Sequence, residues 1–598
     1  MITTPTKYAD CVMQWLSELG YTHCYFVAGG NIMHLLDGAR TRMTCVPVVH
    51  EVAAGIAAEY FNEANGKGRA FALVTAGPGV TNILTAMGGA WLESRELLVL
   101  AGQVKSSDLA TDGIRQRGIQ EIDGVALARP VAKISKCITS PISANEFATA
   151  VLEGRRNRQG PIFLEFCLDA QGAPVEGLNI GKLTDVDTYS GPEPSLIQTA
   201  VSVSQSIVER LKKSERPVLL IGGGISRDTA TTLNSKLENL NIPIMTTWNG
   251  TDRIDSTAPS YFGRPNTWGQ RHANIIMSQA DCIVALGTRL GLQQTGFNWQ
   301  AFGKGAFIVH VDVDRAELTK GHPRTDLAVH ADANAVLTEI AMAEHVRNDE
   351  WFSYCEEITN AFPLNDKNNE TRHGFVSPYD FYADLSTLAM ADDVVVPCSS
   401  GGANSVSMQV IKQKYGQVVI TDKGLASMGY GLAGAIGASM AHPGRRTWLI
   451  EGDGGFSQNL QELATVEVNR LPIKTFIFAN EGYGSIRMTQ KNYFGGAYLG
   501  CDTQTGLGFP DWHKLFSAYG IPCLTVDGNW ASDGAVAELL NNDGPAAFIV
   551  PIDPLQTYWP KITSRITASG SMESNPLHLM TPDLTPDDQT KVFRYVQP

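Results

Sequence analysis

The chain has 598 residues, of which 47 are Lys or Arg and 61 are Asp or Glu, so its formal net charge is −14. At roughly 150 residues per domain, this length predicts three or four domains rather than a single binding module. The charges are interspersed and form no basic cluster of the kind that nucleic acid or an anionic lipid surface requires. We therefore expect no nucleic-acid partner and no membrane partner.

The composition is typical of a globular protein. Hydrophobic residues make up 43% of the chain and charged residues 18%, which supports large buried cores and excludes a disordered chain. The ten cysteines are scattered and contain no C-x-x-C pair, so they indicate neither a disulfide framework nor a zinc site. The first residues lack the basic and apolar regions of an export signal. These features predict a cytoplasmic protein.

One stretch, residues 424–444, has the length of a membrane span. It contains 21 residues without Asp, Glu, Lys or Arg, but six of them are glycine and only two are leucine. Such a composition favours a closely packed, buried Gly/Ala helix over a span.

Three blocks of sequence alternate β-rich runs with helical patterns, which predicts an α/β protein with parallel sheets. We expect an N-terminal domain at residues 1–185, a central domain at 195–345, a C-terminal domain at 372–560 and a tail at 561–598. A Pro/Gly/Ser-rich stretch at 189–195 and a polar stretch at 363–373 mark the two boundaries between domains.

The first and third blocks share a strand, glycine turn, helix, strand pattern. In the first block, residues 71–75 run into Gly77-Pro78-Gly79 and a later strand covers 97–101; in the third, 447–451 run into Gly452-Asp453-Gly454 and a later strand covers 474–479. This predicts two related layers that bind ligands at the C-terminal ends of their strands. The alternative is that any two strand–helix–strand units look alike.

The third block also carries a predicted metal site. Asp453 follows an uncharged strand, and Asn480-Glu481-Gly482 follows the next one. Mg²⁺ prefers oxygen ligands and is commonly held by one or two protein groups together with substrate phosphates. An Asp453 carboxylate, an Asn480 amide oxygen and the Gly482 carbonyl would meet that need around a diphosphate. As an alternative, Gly-Asp-Gly and Asn-x-Gly are both common turns.

The segment from Gly452 to Asn480 is similar to the thiamine diphosphate motif, and the chain resembles the acetohydroxyacid (acetolactate) synthase branch of that enzyme family from end to end. The matching stretches are Gly29-Gly30, Val49-His50-Glu51, residues 75–82, Gly102-Gln103-Val104, residues 424–431 and residues 452–480. The resemblance implies a pyrimidine-binding domain, a central domain and a diphosphate-binding domain. It also implies thiamine diphosphate and Mg²⁺ as cofactors, in a homodimer or homotetramer with the site at the subunit interface.

The resemblance assigns catalytic roles to Glu51, Gln120, Lys133 and Met428. Glu51 matches the glutamate that activates the cofactor by bonding to its pyrimidine ring, and Met428 matches the residue that supports the bent cofactor. Without the resemblance, Glu51 would be interpreted as an exposed acid at a helix N-terminus and Met428 as a gap-filler. The implied cofactor-binding residues are Gly29, Gly30, Glu51, Gly402, Asn404, Gly424, Met428, Gly452, Asp453, Gly454, Gly455, Asn480, Gly482, Tyr483 and Gly484.

FAD is a further candidate cofactor. Arg289 matches an arginine that in the synthases lies near the flavin and the carboxylate of a 2-keto acid, and Gly222-Gly223-Gly224 follows a strand as a dinucleotide turn would. The flavin loop of the synthases, Arg-Phe-Asp-Asp-Arg, reads Arg-Leu-Gly-Leu-Gln here. Three consecutive glycines are weak evidence alone, so FAD binding stays open at this point.

The implied activity is that of a carboligase, which decarboxylates pyruvate or another 2-keto acid and transfers the two-carbon unit to an acceptor carbonyl. Thr489 stands where the synthases carry a tryptophan that favours a small acceptor. The smaller side chain predicts a larger acceptor, such as a nucleotide sugar or a sulfoacetaldehyde-like compound.

Three alternatives compete with this hypothesis. A 2-keto acid decarboxylase of similar type carries an adjacent His pair, whereas residues 108–123 contain no histidine. A flavin or nicotinamide oxidoreductase built on residues 222–224 needs a ribose-binding acid about 20 residues on, where Glu238 is the sole candidate, and it leaves Asp453 and Asn480 unexplained. A non-catalytic paralogue is disfavoured because Glu51, Asp453 and Asn480 are intact.

Overall fold

The structure, a computed structural model, describes residues 6–177, 180–398, 400–566 and 568–598. The described chain forms three domains, each built on a parallel sheet flanked by helices, and a two-stranded antiparallel pair follows near the C-terminus. The α/β class with three parallel layers, predicted from the alternating pattern, is confirmed.

The first sheet has six strands in the order β2-β1-β3-β4-β6-β5. Its strands are β1 (Tyr21–Phe26), β2 (Thr44–Pro47), β3 (Arg69–Val74), β4 (Leu97–Gln103), β5 (Ile134–Ile138) and β6 (Pro161–Cys167). Its helices are α1 (Tyr8–Glu18), α2 (Met33–Ala39), α3 (Glu51–Glu63), α4 (Pro78–Glu93), α5 (Gly124–Ala128), α6 (Ala144–Glu153) and α7 (Leu168–Gly172).

The second sheet has five strands in the order β11-β10-β9-β7-β8. Its strands are β7 (Pro217–Ile221), β8 (Ile244–Thr246), β9 (Cys282–Leu286), β10 (Phe307–Asp312) and β11 (Leu327–His330). Its helices are α8 (Pro194–Lys213), α9 (Arg227–Thr232), α10 (Asn234–Glu238), α11 (Arg271–Gln279), α12 (Leu292–Thr295), α13 (Arg315–Thr319), α14 (Ala333–Met342) and α15 (Asp349–Ala361).

The third sheet has six strands in the order β13-β12-β14-β15-β17-β16. Its strands are β12 (Val394–Pro397), β13 (Val418–Val419), β14 (Thr447–Gly452), β15 (Ile473–Ala479), β16 (Cys523–Thr525) and β17 (Ala546–Pro551). Its helices are α16 (Pro378–Leu388), α17 (Gly401–Val410), α18 (Tyr430–Ala441), α19 (Asp453–Phe456), α20 (Leu463–Val468), α21 (Gly484–Phe494), α22 (Trp512–Ala518) and α23 (Gly534–Asn541).

The first and third sheets have the same topology. Numbered within its own sheet, each shows the strand order 2-1-3-4-6-5, and every pairing is parallel. The central strands β4 and β15 are mostly apolar and are buried along nearly their whole length, because both faces are covered by helices. The predicted relationship between the first and third blocks is therefore confirmed.

Helix α18, which lies within residues 424–444, packs against α3 of the first domain. Eleven of its 12 residues are buried, and a Cβ on Gly437 would lie 2.0 Å from the carbonyl oxygen of Ala57. Glycine at this position lets the two helix backbones approach closely. The predicted buried Gly/Ala helix is confirmed, and across the described ranges no helix is both long and apolar enough to cross a membrane.

The C-terminal segment returns to the second domain. It contains the antiparallel strands β18 (Ser564–Ile566) and β19 (Met572–Ser574) and the helix α24 (Pro586–Val592). Leu577, Met580 and Phe593 pack in one apolar core with Trp351 of α15 and with residues of the second sheet. The stretch expected to be a separate tail is thus part of the core of the central domain.

Each of the ten cysteines is a free thiol. The sulfur atoms of Cys137 and Cys167 lie 3.9 Å apart. This confirms the prediction that the cysteines form no disulfide framework.

Candidate active site

Asp453 and Asn480 lie at the same edge of the third sheet. Strand β14 ends at Gly452 and its parallel neighbour β15 ends at Ala479. Because the C-terminal ends of adjacent parallel strands meet at one edge, the residues that follow them face a common crevice. The Asp453 carboxylate accepts the backbone N–H of Asn480 at 2.9 Å, which ties the two turns together.

Three oxygen atoms converge between these turns. The Asn480 amide oxygen lies 2.6 Å from the Gly482 carbonyl oxygen and 3.3 Å from Oδ1 of Asp453, and it faces only acceptors. Turned by 180°, the amide would donate N–H to both oxygens instead. Since Mg²⁺ takes oxygen ligands at about 2.0–2.1 Å, one carboxylate, one amide and one carbonyl packed this closely fit part of one coordination shell.

The backbone around the three oxygens depends on glycine. Glu481 has φ = 62° and Gly482 has φ = 154°, and a Cβ on Gly482 would lie 2.1 Å from the Cys501 carbonyl oxygen. A Cβ on Gly454 would lie 2.3 Å from the ring of Tyr483. The tight turn therefore needs glycine on both sides of the site. Three more predicted cofactor-binding glycines flank these residues in sequence: Gly452, Gly455 and Gly484.

Burial favours the protonated form of two carboxyl groups at this edge. It raises the pKa of Asp453 to about 7 and that of Glu451, the last acid of β14, to about 8. A cation favours the charged form of a neighbouring carboxyl. A bound Mg²⁺ would therefore offset the cost of burying Asp453.

Helix α17 begins beside this edge and carries two predicted cofactor-binding residues. In the described part of the chain no side chain caps its first turn, so the N–H groups there are open to an anion. A Cβ on Gly402 would lie 2.7 Å from the hydroxyl oxygen of Tyr558. Asn404 is fully buried and donates to Oγ1 of Thr421 at 2.6 Å, and its amide oxygen has no hydrogen-bond partner among the described residues.

Glu51 is the first residue of α3 and is 8% exposed. Asn82 on α4 donates its side-chain N–H to Oε2 of Glu51 at 2.9 Å. The residue before it, His50, caps the helix by accepting the N–H of Val52 at 3.3 Å. Two helices thus hold the carboxyl group predicted to activate the cofactor.

Gly29 and Gly30 follow β1 at the C-terminal edge of the first sheet. A Cβ on Gly29 would lie 2.5 Å from Cβ of Thr75, which follows the neighbouring strand β3. Gly30 begins a short 3₁₀ turn and has open space beside it. Gly29 is therefore required for the close approach of two strand ends. Within the described ranges, the buried hydroxyl of Thr75 has no hydrogen-bond partner.

Gln120 lies on an exposed loop with an unusual backbone. Its φ is 63°, a left-handed conformation that is uncommon outside glycine. The neighbouring Glu121 accepts the backbone N–H of Arg117 at 2.8 Å and of Gly118 at 2.9 Å. The Glu121 carboxylate therefore shapes the loop that presents Gln120.

Met428 lies on the loop between β13 and α18 and is 36% exposed. The carboxylate of Glu93, at the end of α4, accepts the backbone N–H of Lys423 at 2.6 Å and that of Gly424 at a shorter distance. An acid of the first domain thus holds the loop that carries two predicted cofactor contacts.

Lys133 contacts neither the residues around Asp453 nor those around Glu51. Its ammonium group donates to the carbonyl oxygens of Glu153 at 2.6 Å, Arg156 at 2.9 Å and Arg158 at 3.0 Å. An ammonium group has three N–H donors, so the carbonyl of Glu153, which ends α6, and the two carbonyls of the turn that follows occupy all of them. The geometry gives Lys133 a helix-capping function.

The candidate flavin residues lie on the second sheet. Gly222 and Gly224 donate their N–H groups to the carbonyl oxygens of Leu286 and Gly287, each at 2.9 Å. A Cβ on Gly222 would lie 2.2 Å from the Gly287 oxygen, so these glycines permit the close approach of two strand ends. Arg289 follows in the same turn and is exposed. Of the three glycines predicted to bind a dinucleotide, two have their N–H groups in use.

Two functional positions were missed from the sequence. Glu462 accepts the N–H groups of Val49 and His50, and Glu93 holds the loop of Met428. Both are acids whose partners lie hundreds of positions away in the chain, so no local pattern indicates them. Glu462 links the third domain to the first, because it follows Asp453 in the chain and its partners immediately precede Glu51.

Comparisons with known proteins identify the family of this chain. Family models described as thiamine pyrophosphate enzyme match in three parts: the N-terminal TPP binding domain at residues 6–127, the central domain at 204–340 and the C-terminal TPP binding domain at 400–550. The chain is 29% identical over 580 residues to acetolactate synthase isozyme 2 large subunit from Escherichia coli (strain K12), covering 94% of this chain and 99% of the relative. It is 28% identical over 591 residues to acetolactate synthase from Mycobacterium avium, covering 93% and 89%. The chain is therefore an enzyme of the thiamine pyrophosphate-dependent family, similar over nearly its whole length to acetolactate synthase large subunits.

Proposed function

We propose that this chain is a thiamine diphosphate- and Mg²⁺-dependent carboligase of acetolactate synthase type. The observation that carries the proposal is the convergence of the Asp453, Asn480 and Gly482 oxygens at the C-terminal edge of the third sheet. These three groups would hold Mg²⁺. The open N–H groups of the first turn of α17, next to Gly402, would bind the diphosphate.

When bound, thiamine diphosphate supplies an electron sink for the loss of CO₂ from a 2-keto acid. Glu51 holds the proton that has to move at the pyrimidine ring, and Asn82 orients its carboxyl group from the adjacent helix. Gln120, on the loop shaped by Glu121, would donate to a substrate oxygen. Met428 would supply an apolar surface for the cofactor.

The overall reaction conserves atoms and charge. A 2-keto acid such as pyruvate loses its carboxylate as CO₂, and its carbonyl carbon forms a new C–C bond to the carbonyl carbon of the acceptor. The acceptor oxygen takes up one proton and becomes a hydroxyl group. No external oxidant or reductant is required.

The acceptor is larger than that of a typical synthase in this proposal. Thr489 is exposed on α21, with its hydroxyl bonded to the Ser485 carbonyl oxygen at 3.0 Å. Its side chain is small and is held against its own helix, which leaves open space beside α21. FAD stays a candidate cofactor, but Gly222 and Gly224 do not support it, because their N–H groups bond within the fold.

A second copy of the chain completes the site in this proposal. Met428 is 36% exposed, Val49 is 52% exposed and Ile119, next to Gln120, is 86% exposed. Exposed apolar side chains beside predicted catalytic residues favour an obligate homodimer or a homotetramer in which a partner covers them.

The test is to supply thiamine diphosphate, Mg²⁺ and pyruvate and to follow CO₂ release and ligated products such as acetolactate or acetoin. We expect metal- and cofactor-dependent CO₂ release together with a ligated product whose yield rises with the correct acceptor. Acetaldehyde as the only organic product would support a decarboxylase instead. No CO₂ from any 2-keto acid would overturn the proposal.

A further inference from the structure

Lys561 is buried where the second domain, the third domain and the C-terminal segment meet. Its residue surface is 5% exposed. The ammonium group lies 4.9 Å from the ring centre of Trp268 and 4.8 Å from that of Trp559. It also lies 2.8 Å from the sulfur atom of Met488 on α21. The surroundings of this charge are therefore two indole faces and a thioether.

Among the described residues, no oxygen atom accepts a hydrogen bond from this ammonium group, and its side-chain hydrogen bond goes to the sulfur atom of Met488. Burial lowers the pKa of Lys561 to about 8. Cation–π contacts offset part of the cost of burying the charge, but buried charges are ordinarily paired with an anion or oxygen acceptors.

Lys474 provides a comparison within the same chain. It is fully buried, and burial likewise lowers its pKa to about 8. Its ammonium group, however, donates to the carbonyl oxygens of Asn542 at 2.8 Å and Gly544 at 2.6 Å, and also to the Asn542 side chain. Lys474 is thus satisfied by the fold, whereas Lys561 lacks the oxygen partners that such a group normally has.

The position of Lys561 connects it to the candidate active site. Met488 is four residues into α21 from Gly484, which corresponds to about 6 Å along a helix, and α21 starts two residues after the metal-site carbonyl of Gly482. Tyr558, three residues before Lys561, lies against Gly402, and after burial the charge of Asp453 is the next cause that raises the pKa of Tyr558. The segment 558–561 therefore borders the site on the side of α21.

We propose that Lys561 binds an anionic group, a carboxylate or a phosphate, of the acceptor substrate. This rests on the proposed carboligase function. An anion bound beside the ammonium group would supply the missing counter-charge, and the apolar surroundings would strengthen the charge-assisted hydrogen bond by excluding water. Met488 directly precedes Thr489, so α21 would determine both the space for the acceptor and the anionic group that the acceptor carries.

The test is a calorimetric titration of the holoenzyme, loaded with thiamine diphosphate and Mg²⁺, with inorganic phosphate and separately with acetate. We expect wild type to bind one or both anions and Lys561→Met to bind about ten- to 100-fold more weakly. Lys561→Arg should restore most of the affinity because it keeps the charge. Lys514→Met, which removes an exposed lysine, controls for the change in net charge.

Each result decides the proposal. Loss of phosphate binding alone supports a phosphorylated acceptor, and loss of acetate binding supports a carboxylate. Absence of anion binding in wild type, or equal binding by Lys561→Met, overturns the proposal. Because the titration does not depend on turnover, a missing CO₂ release in wild type would count against the carboligase function separately.

A second measurement excludes a purely structural lysine. Removing a charge without oxygen partners should not destabilise the fold, so the Tm of Lys561→Met should equal or exceed that of wild type, whereas Lys474→Met should lower it. A Tm loss in Lys561→Met as large as that in Lys474→Met would indicate that Lys561 serves the fold and would overturn the proposal. Lys561→Gln provides a second neutral variant for the titration.

Discussion

The carboxylate of Glu462 accepts the backbone N–H of His50 at 3.0 Å, so an acid that follows Asp453 by nine residues fixes the turn that leads into Glu51. The same carboxylate accepts the N–H of Val49 at 3.1 Å and the hydroxyl of Thr465 at 2.7 Å. The side chain is fully buried. Through this contact the third domain sets the geometry of the first.

We expect Glu462→Gln to lower both stability and turnover. The amide keeps one oxygen acceptor but turns an N–H group toward the donors of Val49 and His50, which leaves one of them unsatisfied. The free energy of unfolding should fall by about 1–3 kcal/mol, and kcat should fall because Glu51 is displaced. Urea unfolding and steady-state kinetics measure the two effects. The control is Glu467→Gln, on α20 just after Glu462 and partly exposed. Equal behaviour of the two variants would show that the contact is unimportant.

Glu51→Gln should abolish turnover while leaving the fold and cofactor affinity nearly intact. A glutamine can hydrogen-bond to the pyrimidine ring but cannot exchange the proton, and positioned acid–base groups contribute roughly 10²–10⁴-fold to rates. The measurement is CO₂ release at saturating cofactor. Retention of more than about a tenth of the wild-type rate is too much for that function and would exclude Glu51 as the activating acid. Glu18→Gln, at the exposed end of α1, is the control.

Asp453→Ala should lose Mg²⁺-dependent retention of thiamine diphosphate. The change removes the charged ligand of the proposed metal site and leaves the diphosphate charge poorly neutralised. Equilibrium dialysis with and without a chelator measures retention directly. Asp527→Asn, on an exposed turn, should behave like wild type. Unchanged cofactor affinity in Asp453→Ala would contradict the metal assignment.

Glu165 makes stability depend on pH. Burial, together with the smaller effect of nearby Cys137, raises its pKa from 4.5 to about 8. One of its carboxyl oxygens is buried and has no hydrogen-bond partner among the described residues. Because the folded state holds the proton more tightly than the unfolded state, this stabilisation is complete below pH 4.5 and is lost as pH rises through about 8. Glu165→Gln cannot ionise, so its unfolding free energy should fall less than that of wild type between these limits, by an amount on the order of 2 kcal/mol. Parallel pH profiles for the two proteins would disprove the assignment.

Mixed oligomers should restore activity between two inactive variants. If Glu51 of one chain serves the metal site of another, a heterodimer of Glu51→Gln and Asp453→Ala contains one site that is wild type at both positions. Subunit exchange followed by a CO₂ assay tests this. Verified exchange without recovered activity, or full activity in a demonstrated monomer, would refute the shared site.

Much of the fold and part of the site could be predicted from the sequence. Gly452-Asp453-Gly454 and Asn480-x-Gly482 each follow an apolar strand, so strand periodicity alone predicts that they meet at one sheet edge. The topology of two related layers follows from the same local pattern. The contacts of Lys133 could not be predicted from the sequence, because its three acceptors lie 20, 23 and 25 positions away in the chain.

The sequence by itself determined the α/β class through short-range periodicity, and the family through the resemblance of its motifs. It also predicted the metal-site triad, because those residues follow the ends of apolar strands. Only the tertiary structure decided which side chains from distant parts of the chain lie beside the candidate site. Glu462 meets His50 across 412 positions of sequence, and Lys561 meets Met488 across 73. Contacts of that separation are set by how the domains pack, and packing depends on the summed burial of many side chains rather than on any local pattern.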